Sequence, residues 1–172
     1  RTADTLKDEI AVWLFTSGTT GKPKAAVHFH QDFVWNAERY AKTVMQLGPN
    51  DRTMGVPKLF FGYATGSNLM FPFAVGATVG LFHEKSKPEA VLDFLQAFRP
   101  TVLVNVPTTI NGMLGILQMP DLTKRYDLSC LRYTTSAGEA LPADLCLRWK
   151  KTVGCDILDG IGSAEMFHVF IS

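Results

Sequence analysis

The chain carries the sequence Thr-Ser-Gly-Thr-Thr-Gly-Lys-Pro-Lys at residues 16–24, directly after an apolar run at residues 10–15. A short apolar run bounded by turn residues predicts a buried strand. Glycines allow a tight turn that brings backbone N–H groups close to a ligand, and hydroxyl and ammonium groups are donors suited to an anion. Residues 16–24 therefore predict a loop that wraps the phosphates of a nucleotide. The alternative is a Gly/Thr hairpin turn that happens to carry lysines.

This loop does not match the Walker A pattern. That pattern requires a glycine five residues before the Gly-Lys pair and Ser or Thr directly after it, whereas this chain has Thr16 and Pro23 at those positions. Because proline has no N–H and resists helix continuation, we expect a loop between two strands with no helix N-terminus behind it. A simple phosphate-binding NTPase is therefore disfavoured.

Size and composition set the class of protein. A length of 172 residues suits about one domain. The net charge of +1 gives no reason to expect nucleic acid or a membrane surface as partner. Cys130, Cys146 and Cys155 are odd in number and lack C-x-x-C spacing, which argues against a zinc site and a disulfide framework and favours a cytoplasmic location. Since the chain stops inside an apolar run at residues 169–172, we expect a segment of a longer protein.

Strand and helix patterns alternate along the remaining chain. A helix is predicted for residues 30–47, with apolar residues at three- and four-residue steps that include Val34, Tyr40 and Val44. Helices are also predicted to open at Pro107 and Pro142, and strands are predicted at residues 25–29, 53–56, 77–82, 101–106, 131–135 and 156–158. This alternation predicts an α/β fold, with a largely parallel sheet and helices on both of its faces.

The candidate site residues follow predicted strands. In parallel sheets ligands collect beyond the carboxyl ends of the strands, so we expect residues 16–24, 136–139 and 159–165 to meet at one edge. Glu165 could hold Mg²⁺ together with nucleotide phosphates, although a solvated loop carboxylate is the alternative. The aromatic and glycine residues of segment 58–66 predict a flat slot, with core packing as the alternative.

The motifs Ser17–Lys24, Ser136–Glu139 and Gly162–Glu165, in this order and spacing, resemble those of the adenylate-forming (AMP-binding) superfamily of acyl-CoA synthetases, adenylation domains and luciferases. Segments 58–63, 159–163 and 165–168 are most similar to its benzoate-CoA ligase branch. The resemblance covers essentially the whole chain and implies a partial adenylation domain, the middle of the large N-terminal domain. The superfamily's ribose-binding aspartate, hinge and C-terminal domain with its catalytic lysine would then follow Ser172.

The resemblance also implies a reaction. A carboxylate attacks the α-phosphate of ATP to give acyl-AMP and pyrophosphate, and the thiol of coenzyme A then displaces AMP. The implied cofactors are ATP, Mg²⁺ and coenzyme A, and the implied partner is a small aromatic carboxylic acid such as benzoate. Two alternatives remain open, which are an adenylation domain that loads a carrier protein and a non-catalytic nucleotide- or acyl-binding homologue.

Residue roles follow from the resemblance alone. The β- and γ-phosphates would be held by Thr16, Ser17, Gly18, Thr19, Thr20, Gly21 and Lys24. Glu165 would bind Mg²⁺, and Lys24 and Glu165 would be the catalytic residues. The adenine site would be lined by Gly138, Glu139, Asp159 and Gly160. The acyl group would be surrounded by Gly62, Tyr63, Ile161 and His168, with a satisfied core histidine as the alternative for His168.

One position departs from the superfamily pattern. The superfamily usually carries threonine where this chain has Ala164, and the threonine hydroxyl would contact the α-phosphate. Losing one donor predicts a less stabilised transition state, unless a neighbouring hydroxyl such as that of Ser163 takes its place.

Overall fold

The computed structural model describes residues 2–16, 21–119, 121 and 125–172. The strands within these residues are β1 (Ile10–Thr16), β2 (Lys24–Phe29), β3 (Arg52–Gly55), β4 (Thr78–Leu81), β5 (Val102–Asn105), β6 (Tyr133–Ser136), β7 (Asp156–Asp159), β8 (Ile161–Gly162) and β9 (Val169–Ile171). The α-helices are α1 (His30–Asn36), α2 (Gly62–Thr65), α3 (Phe71–Val75), α4 (Pro88–Phe98), α5 (Pro107–Leu117) and α6 (Ala143–Val153). Two π-helical segments, Ala37–Lys42 and Gly66–Met70, extend α1 and precede α3.

A five-stranded parallel sheet forms the centre of the fold, with strand order β4-β3-β5-β6-β7. Every residue of β5 is buried, as its apolar sequence predicts. Adjacent residues of this strand point to opposite faces, and Leu103 belongs to the core beneath α4, α5 and α6 while Val102 belongs to a second core that contains Tyr40 and Phe71. The predicted α/β architecture with helices on both faces is therefore confirmed.

The order of the strands reverses between β3 and β5. The chain passes from β3 to the edge strand β4, and then crosses back over β3 to enter β5 on its other side. In open parallel sheets the carboxyl ends of the strands at such a reversal leave a crevice for ligands. The segments that follow β3, β5 and β6 lie at this edge of the sheet.

The prediction that residues 10–15 form a strand is confirmed, but the prediction that this strand is buried is wrong for most of its residues. They form β1, but β1 pairs only with β2, antiparallel and outside the five-stranded sheet. Leu14 is buried, whereas Trp13 and Phe15 are 56% and 71% exposed. An apolar run shows that a strand is suited to burial, but it does not show whether its neighbours cover it. The predicted loop does lie between two strands, and its residues Ser17–Thr20 lie outside the described residues.

The helix predicted for residues 30–47 is interrupted. After α1 the backbone widens into the π-helical segment, where the N–H of Met45 donates to the carbonyl of Tyr40 at 2.8 Å. The wider turn rotates the side chains that follow away from a 3.6-residue period. Tyr40 and Met45 are therefore buried, but Val44, which the regular pattern assigns to the same face, is exposed. Val34, assigned to that face too, lies in α1 before the wide turn and is also exposed.

No helix in the described ranges has the length and apolar character needed to cross a membrane.

Candidate active site

A cavity of about 240 Å³ lies where several predicted site segments meet. Its wall is formed by the end of β1, the aromatic segment before α2, the loop after β6 and the turn between β8 and β9. The lining residues are Leu14, Phe15, Phe60, Phe61, Gly62, Tyr63, Ala137, Gly138, Gly162, Ser163, Ala164, Phe167, His168 and Val169. Segments separated by about a hundred residues thus face one space, because their strands end at one edge of the fold.

Tyr63 is fixed at its hydroxyl. The oxygen lies 2.7 Å from Thr135 Oγ1 and donates a longer bond of 3.4 Å to the carbonyl of Asn105. Burial raises the pKa of Tyr63 well above that of a free phenol. The side chain therefore stays neutral and offers the cavity the surface of its ring.

His168 is 2% exposed. Its Nε2 lies 2.8 Å from Ser67 Oγ and 3.0 Å from the carbonyl oxygen of Tyr63, while Nδ1 has no hydrogen-bond partner among the described residues. Gly66 provides the space for the ring, since a Cβ there would lie 2.5 Å from His168 Cδ2. Burial lowers the pKa of His168 to about 4, so the imidazole is neutral at pH 7.

Glu165 lies in a turn between β8 and β9. The N–H of Phe167 donates to the carbonyl of Ala164 at 3.1 Å, which leaves Glu165 and Met166 as the central residues of a four-residue turn. Phe167 has φ of +68°, a conformation that bulky residues rarely adopt. Gly62 allows this turn to approach the aromatic segment, because a Cβ there would lie 2.7 Å from the carbonyl oxygen of Phe167.

Gly138 lies in the loop after β6 and lines a second cavity of about 470 Å³ as well as the first. Its φ is +85°, and a Cβ at this position would meet nothing within 4 Å. Its neighbour Glu139 points instead at helix α5, where one carboxylate oxygen accepts hydrogen bonds from the N–H of Thr108 at 3.0 Å and from its hydroxyl at 2.6 Å. The loop thus offers a ligand an open backbone surface, while the Glu139 carboxylate anchors the loop to the N-terminus of α5.

Several predicted site residues in the described part of the chain lie outside the wall of the smaller cavity, and they include Asp159, Gly160, Ile161 and Glu165. Ile161 is 62% exposed on β8, and Asp159 is exposed at the end of β7. Gly160 lies against β9, since a Cβ there would lie 2.5 Å from Val169 Cγ1. The close approach of β9 to the backbone between β7 and β8 therefore favours a glycine at this position.

The phosphate loop is described only at its two ends. Thr16 pairs with Lys24 across the β1–β2 hairpin, and Phe15, one residue earlier, lines the smaller cavity. Gly21 has φ of +76°, consistent with a tight turn. The roles predicted for Ser17–Thr20 concern residues that the structure does not describe, and Lys24 is exposed at the mouth of the hairpin.

Glu165 is the residue predicted to bind Mg²⁺, so its surroundings test whether this ion could bind beside the cavity. Among the described residues no group of three or more His, Cys, Asp or Glu could hold a metal by itself. Mg²⁺ commonly binds one or two carboxylates and completes its coordination with water and substrate phosphates. An exposed carboxylate next to a candidate nucleotide cavity fits that mode of binding.

Sequence reasoning missed the residues that hold the site in shape. Ser67 and Thr135 bond the side chains of His168 and Tyr63, and Thr108 bonds Glu139. Their partners lie 101, 72 and 31 residues away in the chain, so no local pattern reveals these pairs.

Comparisons with known proteins agree with this fold. A family model described as AMP-binding enzyme matches residues 1–172. A benzoate–CoA ligase of Thauera aromatica is 45% identical over 170 residues, which make up 99% of this chain and 32% of that protein. Among solved structures, a benzoate CoA ligase from Burkholderia xenovorans LB400 matches with a TM-score of 0.88 and 44% identity, over 99% of this chain and 33% of that one.

A further solved structure, the anthranilate CoA ligase AuaEII in complex with anthranoyl-AMP, matches with a TM-score of 0.89 and 40% identity, over 98% of this chain and 32% of that one. The chain thus spans about a third of the length of the relatives it matches. With a family match along its full length, the chain belongs to the AMP-binding enzyme family.

Proposed function

We propose that this chain is the nucleotide- and acid-binding part of an AMP-forming acid–CoA ligase that activates benzoate or a substituted benzoate. The observation that carries the proposal is the shared cavity, where the aromatic segment, the Gly138 loop and the turn before Glu165 face one another. The relatives named as benzoate– and anthranilate–CoA ligases support an aromatic acid as the substrate. We also propose a cytoplasmic location, since the three cysteines are free thiols.

In this proposal the aromatic ring of the acid enters the apolar end of the cavity. Tyr63 and Phe61 supply ring surfaces there, and the Tyr63 hydroxyl is already bonded to Thr135. The carboxylate then points towards Ser163 and Ala164 on the opposite wall. Such a slot orients a flat acid through contact area and exclusion of water.

The difficulty of the first step is electrostatic, since an anion must approach a triphosphate. The hydroxyl of Ser163, the backbone beside Gly138 and the ammonium of Lys24 are the groups placed to offset that repulsion. Bound Mg²⁺ would neutralise phosphate charge, and Glu165 would hold it together with the nucleotide. Preorganised donors act more strongly in a site from which water is excluded than in bulk solvent.

The experiment uses a full-length protein that contains this sequence and follows exchange of labelled pyrophosphate into ATP. We expect exchange that depends on benzoate and not on octanoate, and release of AMP when coenzyme A is added. Exchange driven by octanoate alone would reject the aromatic substrate. Acyl transfer to a carrier protein and not to coenzyme A would replace the second step, and ATP binding without any exchange would favour a non-catalytic homologue.

A further inference from the structure

His28 is a buried histidine that the proposed reaction does not use. It lies on β2, four residues after Lys24, and is 4% exposed. Its Nε2 donates to the carbonyl of Ala164 at 2.6 Å, and its Nδ1 lies 3.2 Å from a carboxylate oxygen of Asp32. The same carboxylate oxygen accepts the N–H of Phe29 at 2.9 Å. The imidazole thus bridges the start of α1 and a carbonyl 136 residues further along the chain.

That carbonyl closes the turn that presents Glu165. It accepts one bond from the N–H of Phe167, inside the turn, and one from His28, outside it. The turn needs this outside support because Phe167 has φ of +68°, a conformation that persists only where the surroundings enforce it. The ring of Phe167 is held edge-on by His28 at 5.2 Å and by Phe33 at 4.8 Å between ring centroids.

Because His28 lies on β2, its hydrogen bond to the Ala164 carbonyl also links this strand to the turn that carries Glu165. Strand β2 continues directly from the phosphate loop, and its first residue, Lys24, is paired with Thr16. A rigid strand therefore connects the lysine end of that loop to His28, and His28 connects it to the turn that carries Glu165. A change in the His28 bond would therefore shift the turn that carries the Glu165 carboxylate.

We propose that His28 is a positioning residue for Glu165: its bond to the Ala164 carbonyl holds the strained turn from which the carboxylate projects. The proposal rests on the function proposed above for Glu165. Asp32 supports it by fixing the orientation of the imidazole from the other side.

The test compares three variants of a full-length protein that contains this sequence. His28→Leu removes the donor, and His28→Gln keeps an amide N–H that reaches about as far as Nε2. His30→Gln changes an exposed histidine two residues away and is the matched control. The measurements are the Mg²⁺ concentration that gives half-maximal pyrophosphate exchange, the KM for benzoate, the Mg²⁺ dependence of binding of a fluorescent ATP analogue, and hydrogen exchange in peptides covering residues 164–168.

We expect His28→Leu to raise the half-maximal Mg²⁺ concentration and the hydrogen-exchange rate of the turn each by about tenfold, the effect of one lost buried hydrogen bond. The KM for benzoate should rise less than the half-maximal Mg²⁺ concentration, because the ring of Tyr63 is held by its own hydrogen bond to Thr135. His28→Gln should recover most of both losses, and His30→Gln should behave as the unmodified protein.

An unchanged Mg²⁺ dependence in His28→Leu, or a His28→Gln variant as impaired as His28→Leu, would overturn the proposal. A parallel rise in the KM for benzoate would also overturn it, since that result indicates general loosening of the site. If His28→Leu does not fold, His28→Gln and Asp32→Asn decide the matter through the same measurements. If the unmodified protein shows no benzoate-dependent pyrophosphate exchange, the proposed function fails. The Mg²⁺ dependence of nucleotide binding and the hydrogen-exchange rate of the turn would still test the role of His28 separately.

Discussion

At the scale of single residues, Ala164 has a backbone carbonyl that accepts hydrogen bonds and a side chain that lacks the hydroxyl group of threonine. Its carbonyl accepts two hydrogen bonds, and its methyl group lines the cavity. The superfamily's usual threonine would add a hydroxyl at this position. The nearby Ser163 accepts a bond of 3.3 Å from the N–H of Met166, which leaves its own hydroxyl hydrogen able to donate to a phosphate.

We therefore predict that Ala164→Thr accelerates adenylate formation. A donor aimed at developing negative charge is worth about 100-fold in favourable sites, and because Ser163 supplies part of that effect we expect a gain of about tenfold. The measurement is benzoate-dependent pyrophosphate exchange at saturating ATP. Ala164→Val has a similar shape without the hydroxyl and should show no gain. Equal rates for Thr and Val would mean that size, and not the donor, limits this position.

The residue scale also shows what sequence can and cannot reveal. The family motifs located Tyr63, Gly138 and His168, and the structure brings all three to one cavity, while their roles stay predictions. The bonds that hold Tyr63 and His168 could not be predicted, because Thr135 and Ser67 are common polar residues with no local signature. Which polar group pairs with which depends on strand register, and register is a property of the folded sheet.

At the scale of elements, the hydrophobic pattern correctly predicts burial where neighbouring elements of this chain cover the apolar face. Strand β5 and one face of helix α5 are buried, because each is enclosed by neighbours within this chain. The pattern failed for β1, whose neighbours leave Trp13 and Phe15 exposed. It also failed after α1, because one wide turn changes the period of every residue that follows.

The amino edge of the sheet depends on one buried carboxylate. Asp51 is 5% exposed and accepts bonds from the N–H of Gly48 at 2.9 Å, from the hydroxyl of Thr101 at 2.6 Å and from Arg132 at 3.1 Å. These partners precede β3, β5 and β6 in the chain. Asp51 therefore ties together the starts of three neighbouring strands, at the opposite end of the sheet from the cavity.

We predict that Asp51→Ala lowers the free energy of unfolding by about 2 kcal/mol, since it leaves several partly buried donors without their acceptor. The matched control is Asp144→Ala, which breaks the bond of 2.7 Å to Arg148 at a side chain that is 75% exposed, and it should change stability by less than about 0.5 kcal/mol. Urea denaturation of both variants gives the comparison. Similar losses in the two would contradict a special role for the amino-edge carboxylate.

At the scale of the whole molecule, the parallel sheet and its reversal explain why distant motifs converge. The sequence predicted the alternation of strands and helices and hence the edge at which loops gather. It did not predict the strand order, because the order depends on which side of β3 each crossover packs. The two hairpins, β1–β2 and β8–β9, lie outside the main sheet and could not be distinguished from sheet strands by composition.

We predict that the isolated 172-residue chain forms no acyl-CoA, because it spans about a third of the relatives it matches. We also expect it to self-associate, since Trp13, Phe15 and Val27 of the β1–β2 hairpin are exposed together and apolar patches of this kind promote association. Thioester assays and sedimentation of the purified chain provide the measurements. Turnover by a monomer would refute both expectations.

If the proposed function holds, the uncharged state of His168 would restrict which acids can bind. The imidazole is enclosed by the rings of Tyr40, Tyr63 and Phe71, with centroids 5.2, 5.4 and 4.7 Å away, and its pKa of about 4 leaves it without a positive charge at neutral pH. The described wall of the cavity contains no lysine or arginine either. A second carboxylate at the far end of the substrate ring would therefore be desolvated without a counter-ion.

Terephthalate and its monomethyl ester differ in that charge and little in shape. We predict that the ester is activated at least about 100-fold faster in pyrophosphate exchange, since an unpaired buried charge costs several kcal/mol. Comparable rates for the pair would reveal a cation that reaches the far end of the ring. A buried, neutral imidazole would thus favour monoacids over diacids, because it provides no positive charge to pair with the second carboxylate of a diacid.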